Sequence, residues 1–372
     1  MKFSFSAEQE AFRESLRGYL AERSPTKEVR RLMETEAGWE REGWARLNAE
    51  MGLAAVRIPE AYGGQGFGFS EQCIVMEEMG RVLLCAPFFA SAVLAAGAIL
   101  QAGTEAQKAA LLPGIASGDV VGTLAWVEDS GRWDAEGTTL SAVRDGAGWR
   151  LDGHKSFVID GHTADLIVVL GRTASGLSLF TVDGAAVSRR AVQGIDPTRK
   201  LARLAFSGVR AELLGEDGGA AGPFGRVMTE AAVCLANEMV GGAERLREDA
   251  LAYAKMRMQF GKVIAGFQSM KHKQADMLME VELAKSAAYY AAAALDEGDA
   301  DVAVAASIAK AAASEAYLQT AIHAVQIHGG IGFTWDNETH LWFKRAKASE
   351  VMLGDATLHR ERMMQAMVEG TP

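Results

Sequence analysis

The chain has 372 residues, 49% hydrophobic and 23% charged, with a formal net charge of −10, which is long enough for two or three structural units around a substantial core. Apolar content at this level argues against a disordered chain, and the acidic balance argues against broad nucleic-acid binding, which needs a basic face to meet phosphates. Three scattered cysteines, Cys73, Cys85 and Cys234, show no CxxC spacing, so neither a disulfide framework nor a cysteine zinc site is expected, and a reducing cytoplasm suits them.

Helical spacing dominates from Ser6 to about Gly118. Phe12, Leu16, Tyr19 and Leu20 recur at three- and four-residue intervals, and the first twenty residues lack a signal-peptide core. The run Ile58-Pro59-Glu60-Ala61-Tyr62-Gly63-Gly64 breaks this pattern with turn formers, where glycine serves a ligand or simply a positive φ. Residues 86–100 form the longest apolar run, shorter than the ~20 residues a membrane span needs, so a buried core helix is expected and no membrane span.

The period then changes. Short β-rich runs at 120–127, 149–151, 156–159, 166–170 and 177–182 are separated by Gly, Asp and Ser, which predicts an antiparallel β unit, because no helix-length segment lies between them. From about Phe224, alanine- and methionine-rich helices return, and 287–295 and 302–316 are apolar nearly all round, as in a bundle. The expectation is an α+β chain with an N-terminal helical domain at 1–119, a middle antiparallel β domain at 120–222 and a C-terminal helical bundle at 223–372.

The sequence has no GxGxxG after a strand, no GxxxxGK[ST], no HExxH and no GxSxG. Its seven histidines are dispersed, and His323 and His328 lie five apart, off a common helical face, so no metal site is expected. Two stretches in the last third carry more chemistry. Arg257-Met258-Gln259-Phe260-Gly261-Lys262, followed by Phe267-Gln268, offers a guanidinium fork suited to a pyrophosphate and an aromatic face. Gln326-Ile327-His328-Gly329-Gly330-Ile331-Gly332-Phe333 places three glycines where a backbone can approach a ligand closely. Both also suit ordinary helix ends, and spacing alone does not separate the two uses.

In this order, these stretches resemble the acyl-CoA dehydrogenase family. The resemblance covers almost the whole chain, through SAEQEAFRESLRGYL, MGLAAVRIPEAYGGQGFGFS, VMEEMGR, LDGHKSFVIDG and DPTRKLARLAFSGV as well as the RxQFGK and QxHGGxGF motifs. It implies an N-terminal helical domain, a β domain and a C-terminal four-helix bundle. It also implies FAD bound between subunits: one chain surrounds the isoalloxazine ring and supplies a glutamate base for the α-proton of an acyl-CoA, while the neighbour holds the pyrophosphate end.

By that resemblance Arg257, Phe260, Gln268, Gln326, Gly329 and Gly330 match the pyrophosphate-holding motifs. The ring side departs from the pattern. The family's Tyr-Glu-Gly-Thr is Met352-Leu353-Gly354-Asp355 here, so Leu353 stands at the base position and cannot accept a proton. The alternative base position, on the helix before RxQFGK, falls on Ala231, with Glu230 about 100° away around the helix. Val-Thr-Glu-Pro becomes Trp126-Val127-Glu128-Asp129 and Trp-Ile-Thr becomes Phe157-Val158-Ile159, so both hydroxyls at the ring edge are replaced, by Val127 and Ile159.

The first reading is therefore a subunit without a catalytic residue, in a cytoplasmic hetero-oligomeric (α2β2) FAD-dependent acyl-CoA dehydrogenase. A catalytic partner subunit would hold the acyl-CoA, with steroid-type thioesters as the analogous substrate class. The second is a homo-oligomeric flavoenzyme with another base, for which Asp355, Glu350 and Asp160 are the candidates, or with altered chemistry. The third is a flavin-free scaffold or binding protein of the same fold.

Overall fold

The computed structural model describes residues 5–369. The described residues form two compact units: one of residues 5–30, 69–84 and 232–369, the other of residues 31–68 and 85–231. In chain order the helices are α1 (Ala7–Arg23), α2 (Thr26–Met33), α3 (Arg41–Met51), α4 (Phe69–Val82), α5 (Ala96–Ala102) and α6 (Glu105–Ser117), then, after the strands, α7 (Ala221–Met256), α8 (Gln268–Glu297), α9 (Val302–His328), α10 (Thr339–Val351) and α11 (Ala356–Glu369). The strands are β1 (Gly122–Ala125), β2 (Ser141–Asp145), β3 (Gly148–Ile159), β4 (Leu166–Thr173), β5 (Gly176–Asp183), β6 (Ser188–Val192) and β7 (Leu201–Leu214), with a two-residue hairpin, β8 (Met258–Gln259) and β9 (Lys262–Val263), after α7. The fold is thus mixed α+β, with helices before and after a β region in the sequence.

In the helical unit, Ser6 and Gln9 form a capping box that starts α1, whose Leu16 and Leu20 are fully buried. Helices α1 and α4 pack with the C-terminal helices. Arg13 Nη1 donates to Glu77 Oε2 at 2.6 Å and to Tyr289 Oη at 2.9 Å, and Tyr289 Oη donates to Glu77 Oε2 at 2.8 Å. Helices α4 and α7 touch backbone to backbone: a Cβ on Gly80 would stand 2.0 Å from Glu238 O, and one on Gly241 1.9 Å from Glu77 O. Gly298, at φ 65°, caps α8 and turns the chain into α9.

The β-containing unit is built on a sheet of order β1-β4-β2-β3-β7-β5, with β6 on β7. Strand β5 pairs with both β4 and β7, closing the sheet around Leu151, Ile167, Val169, Phe180, Val182, Leu204 and Phe206. Antiparallel pairing dominates as expected, but β1 lies parallel to β4, Gly122 opposite Leu166. The runs expected at 149–151 and 156–159 are one bulged strand, β3. Residues 86–100 include a π-helical stretch, Phe89–Ala95, that is buried throughout and continues into α5. In the 58–64 turn, a Cβ on Gly64 would meet Ile58 O at 1.8 Å, so that glycine serves backbone packing.

No helix among the described residues is long and apolar enough to cross a membrane, and no group of three or more metal-binding side chains occurs among them.

Gly241→Ala should force α4 and α7 apart. The expected loss of stability, read by denaturant unfolding, is at the upper end of the ~1–3 kcal/mol typical of overpacking. An unchanged unfolding midpoint would contradict this crossing.

Candidate functional site

Arg257 follows the last turn of α7, its N–H donating to Tyr253 O at 2.9 Å. The β8–β9 hairpin pairs Gln259 with Lys262 and turns through Phe260 at φ 51° and Gly261 at φ 80°, the double positive φ of a type I′ turn. That geometry holds the Phe260 ring outward, 91% exposed, edge-on to Phe267 at 6.2 Å. Arg257 is exposed, and among the described residues its guanidinium has no hydrogen-bond or ion-pair partner. Gln268 opens α8 and is exposed.

The second stretch ends α9. Gln326 is exposed, while His328 turns inward: its Nδ1–H donates to Ala324 O at 2.8 Å, and its ring stacks on Tyr253 at 4.3 Å. This stack, invisible in the linear motifs, brings the ends of α7 and α9 together and so places Arg257 and the Gly329–Gly330 loop at one end of the helical unit. Gly329 has φ 68°, and nothing lies within 4 Å of where a Cβ on Gly329 or Gly330 would be, leaving that backbone open to a ligand.

The positions matched to a base are shut. Leu353 is 3% exposed and sits at φ 61°, a conformation that costs a non-glycine residue roughly 1–2 kcal/mol. Two buried groups hold its loop. Lys310 Nζ donates to Ser314 Oγ at 2.9 Å, Gly354 O at 3.0 Å and Glu350 O at 3.2 Å, and burial draws its pKa down to about 7. His359 Nε2–H donates to Leu353 O at 3.2 Å, with burial holding the imidazole down to about 4. Sequence reasoning passed over both residues, although Lys310 is a conspicuous charge within the apolar 302–316 run.

The substitute carboxylates are engaged elsewhere. Asp355 accepts from Leu358 N at 2.8 Å at the start of α11, Glu350 pairs with Lys347 at 2.6 Å, and Asp160 is buried at φ 52°. Ala231 is fully buried. Beside it, Glu230 pairs with Arg57 at 3.1 Å and accepts from Gln101 at 2.5 Å, and burial raises its pKa.

Val127 and Ile159 are each 2% exposed. Their carbonyls accept from Ser156 N at 2.8 Å and Thr123 Oγ1 at 2.6 Å respectively. The 126–128 segment is fastened to β3 by Lys155, whose Nζ donates to Trp126 O at 3.0 Å and Glu128 Oε1 at 2.8 Å. Of the non-glycine residues with positive φ among those described (Leu83, Phe157, Asp160, Phe260 and Leu353), all but Leu83 fall in stretches that the sequence singled out. Strained backbone of this kind clusters at functional sites.

Residues 224–368 match the acyl-CoA dehydrogenase C-terminal domain and residues 6–119 its N-terminal domain. The chain belongs to the acyl-CoA dehydrogenase family. It is 31% identical to acyl-CoA dehydrogenase IpdE2 of Mycobacterium tuberculosis, over 93% of each chain. Among solved structures, it is similar to the ChsE4-ChsE5 complex of Mycobacterium tuberculosis (26% identity, TM-score 0.90, all of both chains covered). It is also similar to a variant of the Tcur3481-Tcur3483 steroid ACAD (30% identity, TM-score 0.88, 98% of each chain). Members of this family are FAD-dependent flavoproteins that oxidise acyl-CoA thioesters.

The buried His359 gives the Leu353 loop a pH dependence. The imidazole takes up a proton near 6.5 in the unfolded chain but only at about 4 in the fold, so its contribution is present above about 6.5 and lost as pH falls through that window, by up to about 3 kcal/mol. Stability of His359→Gln should fall less steeply between those pH values, measured by urea midpoints across pH. Parallel curves would contradict the assignment.

Proposed function

We propose that this chain is the subunit without a base in a cytoplasmic, hetero-oligomeric (α2β2) acyl-CoA dehydrogenase, and that it holds the pyrophosphate end of an FAD whose ring and base belong to a catalytic partner subunit. The observation that carries this reading is the contrast between the two sets of matched residues. Arg257, Phe260, Gln268, Gln326, Gly329 and Gly330 are all exposed, whereas Val127, Ile159, Ala231 and Leu353 are all buried.

The donor set suits the pyrophosphate. An unpartnered guanidinium can give two parallel N–H bonds to phosphate oxygens, the open Gly329 and Gly330 backbone admits an anion at close range, and Phe260 offers a flat face for an adenine. The ring side does not suit a flavin, because neither Val127 nor Ile159 has a hydroxyl to bond the ring edge. Bound flavin supplies a hydride acceptor in this family. In this chain no side chain at Leu353 or Ala231 can take an α-proton, so the residues left to act here bind and orient.

The substrate class follows by analogy. One similar structure is the two-component ChsE4-ChsE5 complex and another is the Tcur3481-Tcur3483 steroid ACAD, which supports a bulky, steroid-type acyl-CoA held in the partner's half.

Arg257→Ala, in the complex assembled with its partner subunit, should weaken FAD by about ten- to a hundredfold, the equivalent of ~1.5–3 kcal/mol for a charge-assisted contact. Acyl-CoA oxidation should fall with flavin occupancy. If both stay at the level of the unmodified complex, this chain does not hold the partner's flavin.

A further inference from the structure

We infer that the flavin-ring half of this chain is sealed by its own side chains, with an aromatic stack at the ring edge and an ion pair on α7, and that it accepts neither a flavin ring nor an acyl group. The inference rests on the subunit reading above and goes further, from a half-site that has lost contacts to one that has been filled.

Trp126 stands where the family motif has a valine. Its indole is 3% exposed and packs against Trp133 at 6.0 Å and Phe224 at 6.3 Å, with interplanar angles of 50° and 59°. Tilted rings at these separations are a favourable arrangement. The indole Nε1–H donates to Trp133 O at 3.2 Å, so its polar edge is satisfied within the stack. The neighbouring ring-edge positions, Val127 and Ile159, are buried by the protein itself.

The face of α7 that carries Phe224 continues the seal. Val227 and Glu230 follow at three-residue intervals and meet α5 at Gly97. A Cβ built there would lie 3.4 Å from Arg57 Nη2, 3.6 Å from Glu230 Oε2 and 3.8 Å from Val227 Cγ1. Gln101 both donates to Glu230 and accepts from Arg226 Nε at 2.8 Å. An apolar acyl group entering here would separate a buried carboxylate from its guanidinium, which is strongly unfavourable. Both oxygens of Glu230, the Gln101 amide and the Trp126 indole all have partners within the protein, as in a built core and unlike an open cleft that has merely lost its ligand.

The test uses lumiflavin, the bare ring without ribityl or phosphate groups, so the outcome does not depend on Arg257. Lumiflavin is titrated into the full-length chain and into Trp126→Val, following ring fluorescence and tryptophan quenching. The unmodified chain should show no saturable binding. Trp126→Val, which empties the centre of the stack, should show saturable binding of one ring per chain, as apolar cavities take up small aromatic molecules. Saturable binding of one ring by the unmodified chain would overturn the inference, as would a folded Trp126→Val that binds none. If Trp126→Val does not fold, Phe224→Ala opens the same stack from α7 and is read in the same way. Flavin loss on Arg257→Ala together with ring binding by the unmodified chain would keep the subunit reading and remove the seal. No flavin loss together with ring exclusion would do the reverse.

Discussion

The crossing of α4 and α7 through Gly80 and Gly241 is the constraint that the helical unit cannot relax. The carbonyls met at that crossing belong to Glu77 and Glu238, and the carboxylates of the same two residues are tied by buried ion pairs to Arg13 and Arg345. Backbone contact and charge pairing therefore fix α7 at the same turns. Breaking either pair would leave an isolated charge in the core, which typically costs 3–5 kcal/mol. From this anchored stretch α7 runs on to Tyr253, whose ring meets His328 on α9, so the position of Arg257 relative to the Gly329–Gly330 loop follows from the core.

Loops with positive φ show how two opposite outcomes share one backbone design. Phe260 and Leu353 both occupy a conformation that side chains avoid. At Phe260 the result is a ring projected into solvent; at Leu353 it is a side chain turned into the core, with Lys310 and His359 bonding to carbonyls of the same loop. The backbone around Leu353 is thus held by buried polar contacts to its carbonyls, which do not depend on which side chain stands there.

Much of the helical fold was legible because its signals are local. The spacing of Leu16 and Leu20, the apolar run before α6 and the glycines ending α9 each act through their own backbone or periodicity. The exposed motif residues were legible for the same reason, being short linear patterns. The rest depends on distant partners. Strand β7 alternates buried and exposed positions, but alanine, serine and glycine on its two faces dilute the alternation. The parallel β1–β4 pairing joins segments some forty residues apart that no local rule connects. The Trp126–Phe224 stack and the Arg57–Glu230 pair likewise join residues about a hundred or more positions apart, so neither motif reading nor residue spacing could have found them.

Division of labour between unlike chains is the central claim, and flavin stoichiometry tests it most directly. The chain is purified alone and after co-expression with its catalytic partner, and bound FAD is counted against each polypeptide. The account predicts almost no FAD on the chain alone and one FAD per pair of unlike chains in the complex. One FAD per chain in a homo-oligomer of this protein would contradict it.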